Sequence, residues 1–325
     1  MLLAGDIGGT HTRLLLHDGH APVRHETFDS LGFPSLEAAL AEFLGADRPP
    51  LEVACFGVPG PVVGDRCITT NLPWRVDATQ LARELRIPKV FLLNDLVALA
   101  LGALTVPASQ LRILQGGPPK KSGFNIATIA AGTGLGEALL VWDGTRLIPC
   151  GTEGGHTDFG PRDEVDAELL TYLRRRFGSH ISYERVVSGP GLGNLYEFFR
   201  DEKALGETAE NTVRLAQADD RNATIAELGD TGESVPARAA VDNFVRLYGA
   251  EAGNLALKTL ATGGVYVAGA IAVALLGGRS RDAFVKAFGD KGRFAELLER
   301  IPIAVVLDTN LGLAGSVAYA LRSLR

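Results

Sequence analysis

A glycine-rich stretch near the start of the chain has the residue types of a phosphate-binding turn, and it reads Gly5-Asp6-Ile7-Gly8-Gly9-Thr10-His11-Thr12-Arg13. Gly8 and Gly9 lack a Cβ, so their backbone N–H groups can approach a ligand, and a concave row of N–H groups attracts anions such as phosphate. Thr10 and Thr12 add hydroxyl donors, and Asp6 can hold Mg²⁺ through water. The alternative interpretation is a plain β-hairpin with a capping aspartate.

A second glycine turn follows about a hundred residues later, in Ala131-Gly132-Thr133-Gly134-Leu135-Gly136. The two stretches align without a gap, with Gly9 opposite Gly134 and Asp18-Gly19 opposite Asp143-Gly144. Such self-similarity predicts two related α/β halves. Each half would then offer a glycine turn to a shared cleft, and together they would bind a polyphosphate from both sides. Two unrelated glycine hairpins remain the alternative.

Asn94-Asp95 lies where a buried apolar run changes to a helical pattern, which is where α/β proteins bind ligands. A helix N-terminus stabilises a carboxylate as the anion, so we expect Asp95 to be ionised. It can then accept the proton of an attacking hydroxyl, as the aspartate of phosphoryl-transfer enzymes does. The alternative role of Asp95 is that of a helix N-cap.

Two further polar segments accompany this pair: Glu153-Gly154-Gly155-His156 and Ser182-Tyr183-Glu184-Arg185. Their donors and acceptors suit a polyhydroxylated substrate better than an apolar one. Each side chain alone is equally compatible with a surface polar group. His156 is also a possible zinc ligand, but no further Cys or His lies near it at metal-binding spacing.

Alternating strands and helices must position these residues, which predicts a parallel or mixed α/β sheet. We predict strands at 51–58, 90–93, 126–130, 137–142, 265–268 and 303–307, besides the opening hairpin. Helices are predicted at 35–43, 78–85, 96–104, 163–176, 189–199, 236–260 and 313–324. The last helix is expected to pack on the N-terminal domain, and Trp74 is expected to be exposed in a polar loop.

The composition is that of a globular protein with a sizeable core: 325 residues, 46% hydrophobic and 22% charged. This length suggests about two domains. A net charge of −6 argues against nucleic-acid or anionic-membrane partners, and no apolar run approaches a membrane span. The odd, scattered cysteines Cys55, Cys67 and Cys150 fit reduced thiols. We therefore predict a cytoplasmic protein.

With these motifs in view, the chain resembles the bacterial glucokinases that lie outside the repressor/ORF/kinase family. The match runs from Gly5 to about Ala320. Gly5 to Thr10 is similar to the first phosphate motif of the sugar-kinase/actin/Hsp70 superfamily, and Gly132 to Gly136 to the second. The run Thr262-Gly263-Gly264-Val265-Tyr266-Val267-Ala268-Gly269 is similar to the adenosine motif. The next residue, Ala270, departs from the usual glycine, and the cysteine-rich zinc motif of the repressor/ORF/kinase family is absent.

The resemblance implies a two-lobed, actin-like (ribonuclease H-like) ATPase fold with duplicated mixed β-sheet halves and a central cleft. Residues 1–105 plus about 308–325 would form the small domain, and residues 106–307 the large one. The implied activity is ATP-dependent phosphorylation of the 6-hydroxyl of glucose, with Mg²⁺ and with Asp95 as general base. The implied assembly is a homodimer.

The resemblance also implies site residues. The glucose contacts would be Asn71, Asn94, Asp95, Glu153, His156 and Glu184. The nucleotide contacts would be Asp6, Gly8, Gly9, Thr10, Thr12, Gly132, Thr133, Gly134, Gly263 and Gly264, with Asp6 placing Mg²⁺ through water. Two alternatives stay open. One is a kinase acting on another hexose or using a polyphosphate donor, and the other is a nucleotide-driven binding module or sugar-sensing regulator.

Overall fold

The structure is a computed structural model that describes residues 1–46, 48–69, 72–308 and 310–324, without the side chain of Arg279. The chain forms two compact units. The first comprises Met1–Ala108, Ala138–Thr152 and Asn310–Arg325, and the second comprises Ser109–Glu137 and Glu153–Thr309. The domain boundaries given above stay a prediction. No helix in the described part of the chain is long and apolar enough to span a bilayer.

The secondary structure alternates strands and helices as predicted. The strands are β1 Leu2–Ile7, β2 His11–His17, β3 Pro22–Asp29, β4 Val53–Val58, β5 Val62–Val63, β6 Arg66–Ile68, β7 Arg75–Asp77, β8 Lys89–Asn94, β9 Leu111–Gln115, β10 Ile126–Ala131, β11 Leu135–Trp142, β12 Leu147–Gly151, β13 Gly264–Ala268 and β14 Ile303–Val306. The helices are α1 Leu36–Leu44, α2 Ala78–Leu85, α3 Asp95–Ala103, α4 Glu164–Phe177, α5 Gly189–Glu197, α6 Ala209–Gln217, α7 Arg221–Thr231, α8 Val235–Thr259, α9 Ala270–Leu275, α10 Gly278–Gly289, α11 Ala295–Glu299 and α12 Leu311–Ser323.

Two of the sheets share one strand order. The first runs β3-β2-β1-β4-β8, and the second runs β12-β11-β10-β13-β14 with β9 added at its end. In the first sheet β1, β4 and β8 are mutually parallel, and in the second β10, β13 and β14 are. The glycine turns join β1 to β2 and β10 to β11, so they occupy the same place in both sheets. This confirms the predicted α/β class with duplicated mixed sheets.

Local signals in the sequence explain where several helices begin. The Ser35 hydroxyl accepts a hydrogen bond from the Ala38 N–H (3.3 Å), so Ser35 caps α1 as predicted. Asp163 caps α4 through the Asp166 N–H (2.9 Å). The closing helix α12 packs on α3, β1 and β4 within the first unit, which confirms the expectation for this helix.

Trp74 is buried, and the prediction that it is exposed was wrong. Its side chain is 1% exposed and belongs to the apolar core of the first unit, together with Phe43 and Phe56. The indole Nε1–H donates to the Phe33 carbonyl (3.1 Å), so its polar atom is satisfied inside the core. Trp74 directly precedes β7 of the small sheet β5-β6-β7, and the polar residues before Trp74 gave no sign of that sheet.

Candidate active site

The first glycine turn, Gly8–Thr10, is held in shape by Ser30. The Ser30 hydroxyl donates to the Gly8 carbonyl (2.8 Å), and the Ser30 N–H donates to the Thr10 carbonyl (2.9 Å). The Gly8 N–H donates to the His11 carbonyl (2.9 Å), and a Cβ on Gly8 would lie 2.9 Å from that oxygen. Glycine is therefore required here by the close contact with the His11 carbonyl. The backbone conformation does not require it, because the φ of Gly8 is not positive. Among the described residues, the N–H groups of Gly9 and Thr10 have no protein acceptor, so the turn can offer both to an anion.

Thr12 lies apart from this set of donors. It is 0% exposed, and its hydroxyl is hydrogen-bonded to the Ser30 hydroxyl (2.9 Å). Through Ser30 the Thr12 hydroxyl supports the turn, and the nucleotide contact predicted for Thr12 stays a prediction.

Asp6 presents a carboxylate near the carboxyl end of β1. The Arg13 guanidinium donates to Asp6 Oδ2 (3.1 Å), and the Asp6 side chain is 18% exposed. Burial raises the pKa of Asp6, and the Arg13 charge works against that rise. Gly312 at the start of α12 leaves room for the carboxylate, since a Cβ there would lie 2.5 Å from Oδ1.

This carboxylate fits a Mg²⁺ ion held through water. The described residues contain no group of three or more His, Cys, Asp or Glu side chains that could hold a metal ion. Mg²⁺ bound to nucleotides needs no such group, because it keeps several waters and takes one or two carboxylates besides the phosphates. A partly buried carboxylate with a raised pKa gains from a nearby cation.

Asn94 and Asp95 form the junction between β8 and α3. The Asn94 side chain, rather than that of Asp95, caps the helix: its Oδ1 accepts from the N–H groups of Leu96 (3.0 Å) and Val97 (3.4 Å). Its Nδ2 donates to the Gly60 carbonyl (3.1 Å), which ties the turn after β4 to this junction. Asp95 Oδ1 accepts from the Leu96 N–H (2.9 Å), and its side chain is half-buried. Because Asn94 caps α3, the Asp95 carboxylate lies in the first turn of the helix and is not its N-cap.

The second glycine turn is built in a comparable way. The Gly132 N–H donates to the Gly134 carbonyl, and the Gly132 carbonyl accepts from the Gly189 N–H at the start of α5 (both 2.8 Å). Within the described chain, the N–H groups of Thr133 and Gly134 have no protein acceptor. In both turns the N–H of the first glycine donates to a nearby carbonyl. The N–H groups of the next two residues have no acceptor among the described residues.

The two predicted sugar-binding segments lie together in the second unit. Glu153 directly precedes the short helical turn Gly154–His156, His156 ends it, and both residues are exposed. The Tyr183 N–H donates to the Thr157 carbonyl (3.0 Å), which links this turn to the segment that carries Glu184. Glu184 Oε2 accepts from the N–H of Leu135, directly after the second glycine turn (2.9 Å). Asn71, the remaining predicted sugar contact, lies outside the described residues.

A cavity of about 700 Å³ opens beside the second glycine turn, at the carboxyl ends of β10 and β13. Its walls are Gly132, Thr133, Gly189, Pro190, Leu192, Asp220, Asn222, Ala223, Ala226, Glu227, Asp230, Ala270, Ile271, Ala274 and Leu275. Most of these residues were missed at the level of sequence, because they come from α5, α7 and α9 and converge only in the folded unit. The available signals were Gly189-Pro190 before a helical run and Ala270 directly after the adenosine motif.

Gly263 and Gly264 do not line this cavity. They lie at the amino end of β13, where a Cβ on Gly263 would lie 2.8 Å from the Asn125 carbonyl and one on Gly264 would lie 2.7 Å from Pro119. The glycine at the carboxyl end of β13 is Gly269. Its φ is +94°, and a Cβ on it would lie 2.7 Å from the Ala131 carbonyl oxygen. Both Gly263 and Gly264 are closely packed at the amino end of the strand, and the nucleotide contact predicted for them stays a prediction.

Comparisons with known proteins agree with this geometry. A family model described as Glucokinase matches residues 3–323. A glucokinase of Nostoc punctiforme is 38% identical over 347 residues, covering 99% of each chain. The crystal structure of a glucokinase from an Antarctic psychrotroph superposes with a TM-score of 0.80 at 29% identity, covering 99% of this chain and 98% of the other.

A more distant solved structure shares the fold alone. It is a glucokinase of the repressor/ORF/kinase family from Streptomyces griseus in complex with glucose and AMPPNP, with a TM-score of 0.64 at 21% identity, covering 99% of each chain. The predicted actin-like ATPase fold is thereby confirmed. The match of the family model over nearly the whole chain, together with relatives well above 30% identity, shows that the chain belongs to the glucokinase family.

Proposed function

We propose that this protein transfers the γ-phosphoryl group of ATP to the 6-hydroxyl of D-glucose. Family membership supports the reaction. The assignment of roles to residues rests on the strand directions in the first sheet. The strands β1, β4 and β8 are parallel, so the first glycine turn and Asp95 follow strand ends at one edge of one sheet. With strands about 5 Å apart, about 10 Å separates the two, a span that a sugar and a phosphoryl group can fill.

Asp95 is the proposed general base. Its carboxylate accepts the Leu96 N–H at the N-terminus of α3, and both the hydrogen bond and the helix dipole favour the anion. As the 6-oxygen attacks the γ-phosphorus, its proton passes to Asp95. The transition state of phosphoryl transfer is loose, so alignment and charge stabilisation contribute more than proton removal does.

Each glycine turn is proposed to bind phosphate oxygens of the nucleotide through its two amides that have no acceptor among the described residues. These are the N–H groups of Gly9, Thr10, Thr133 and Gly134, and fixed donors of this kind stabilise charge without reorganisation. Asp6 would hold Mg²⁺ through water, and the bound ion would neutralise charge on the phosphate oxygens.

The base of ATP is proposed to bind in the cavity of the second unit. Its volume of about 700 Å³ lies in the range of small-molecule sites. Ala270 and Ile271 offer apolar surface to a flat ring, and Asn222 offers an amide for its polar edge. The side chain of Ala270 adds one methyl group to this wall.

Sugar selection is assigned to Glu153, His156 and Glu184, with Asn94 and Asn71 as further contacts. Polar groups that pair with sugar hydroxyls are left unpaired when a hydroxyl is missing or inverted, which gives strong discrimination. The homodimer, the cytoplasmic location and the exclusion of nucleic-acid and membrane partners stay predictions.

A panel of sugars and donors in a coupled assay tests the proposed reaction. The purified protein should phosphorylate glucose with MgATP at a kcat/KM well above those for mannose, glucosamine and N-acetylglucosamine. Polyphosphate should not replace ATP. Higher activity with another sugar or with polyphosphate would assign the alternative kinase, and no phosphorylation of any sugar would favour the non-enzymatic alternative.

A further inference from the structure

Two segments of the second unit converge on one residue, Leu135. Its N–H donates to Glu184 Oε2 (2.9 Å). Its carbonyl is packed against Gly155, where a Cβ would lie only 1.9 Å from the oxygen. The residue that follows the second glycine turn is thus enclosed by both predicted sugar-binding segments.

The second glycine of the turn, Gly134, makes room for the same carboxylate. A Cβ on Gly134 would lie 2.5 Å from Glu184 Oε2. The φ of Gly134 is not positive, so backbone conformation does not require glycine there. The Glu184 side chain requires it.

The main chain of Glu184 is also fixed relative to the turn. The Ser188 hydroxyl donates to the Glu184 carbonyl (2.7 Å) and accepts from the Gly191 N–H (3.0 Å), which caps α5. The next residue, Gly189, donates its N–H to the Gly132 carbonyl (2.8 Å). Residues 184–189 therefore hold the turn at both ends, through Gly132 and through Leu135.

We infer that Glu184 is a positioning residue for the nucleotide phosphates as well as a sugar ligand. Oε2 fixes the second glycine turn through the Leu135 N–H. Among the described residues Oε1 has no hydrogen-bond partner, so it can accept from a sugar hydroxyl. One carboxylate then links the two substrates, and a change in the phosphate turn alters glucose binding. This inference rests on the proposed function.

Two substitutions of Glu184 distinguish the roles of its two carboxylate oxygens. In Glu184→Gln the amide oxygen can still accept the Leu135 N–H while the charge facing the sugar is lost. We expect the KM for glucose to rise about tenfold or more and the KM for ATP to stay within about twofold of wild type. Glu184→Ala removes both contacts and should raise both KM values. A normal KM for ATP in Glu184→Ala would overturn the inference.

The converse test alters the turn and reads out the sugar. In Gly134→Ala the new methyl group displaces the end of a flexible side chain rather than backbone, so the protein should still fold, which its Tm checks. The KM for glucose should rise about tenfold. The control is Gly289→Ala at the end of α10, a residue with no proposed role in binding, where a Cβ has no neighbour within 4 Å. It should leave the KM for glucose within about twofold.

Combining the changes shows whether the effect passes through Glu184. In a Glu184→Ala background, Gly134→Ala should add no further rise in the KM for glucose. An additive rise, or an equal effect of Gly289→Ala, would overturn the inference while the proposed function stands. A wild-type protein that does not phosphorylate glucose would overturn both.

Discussion

Glu137 and Glu251 place two carboxyl groups inside the second unit. Glu137 on β11 is 2% exposed, and Glu251 on α8 is 0% exposed. Burial and then the Glu251 charge raise the pKa of Glu137 to about 8, against an opposing effect of Lys258. The Lys258 ammonium donates to Glu251 Oε1 (3.2 Å). Glu137 therefore carries a proton near neutral pH, which avoids two buried like charges.

This protonation makes the stability depend on pH. The pKa of Glu137 is higher in the folded state than in the unfolded state, so between about pH 4.5 and pH 8 the folded state binds more protons. The free energy of unfolding should fall as the pH rises through this window. Glu137→Gln removes the titrating group and should flatten that decline, as urea unfolding at several pH values would show.

The control for this prediction is Glu84→Gln on the exposed face of α2, which should keep the wild-type pH dependence. A Glu137→Gln variant whose free energy of unfolding declines as steeply as that of wild type between about pH 5 and pH 8 would contradict the assignment.

Single residues could be predicted from the sequence where their role is local. Asn94 and Asp95 lie at a strand-to-helix junction that adjacent residues define, and the structure has that junction. Thr12 could not be interpreted in this way, because its burial depends on Ser30, 18 residues away. Glu184 was predicted as a polar ligand, but its bond to Leu135 joins segments 49 residues apart.

At the scale of elements, α3 and α12 contact each other through their backbones. A Cβ on Gly102 would lie 2.0 Å from the Leu311 carbonyl, and one on Gly315 would lie 1.7 Å from the Ala98 carbonyl. Neither neighbour is a flexible side-chain end that could move away. Since Asp95 is the first residue of α3, this packing also fixes the position of the proposed base.

Gly315→Ala should therefore destabilise the protein by about 2 kcal/mol or more, because overpacking against backbone forces the two helices apart. Urea unfolding measures the loss. The matched control is Gly289→Ala at the end of α10, where a Cβ has no neighbour within 4 Å. It should be neutral or slightly stabilising. Equal stability of the two variants would contradict the backbone contact.

Elements with strong local signals were predicted well. The predicted range 78–85 coincides with α2, and Ser35 caps α1. The short strands β5, β6 and β7 and the helices α9 to α11 were not predicted, because segments of this length gain their stability from tertiary packing rather than from their own pattern. The burial of Trp74 was missed for the same reason.

At the scale of the whole molecule, the duplication is clearer in topology than in sequence. The two sheets repeat the order of five strands, with the glycine turn after the first strand of each. The sequence alignment that predicted this covers only a few residues. Gly19 and Gly144 of the two Asp-Gly turns have φ values of +101° and +103°, so the backbone favours glycine at both, whereas at Gly134 the Glu184 side chain requires it.

The most direct test of the proposed mechanism is the kcat of Asp95→Asn at saturating glucose and MgATP. The amide can still accept the Leu96 N–H, so the helix start should be preserved while the base is lost. The control is Asp77→Asn, another aspartate at a helix N-terminus, which caps α2 and should leave kcat unchanged. We expect kcat of Asp95→Asn to fall by a factor on the order of 10² or more, with little change in the KM for ATP. Near-normal turnover by Asp95→Asn would contradict the role of Asp95 as the base.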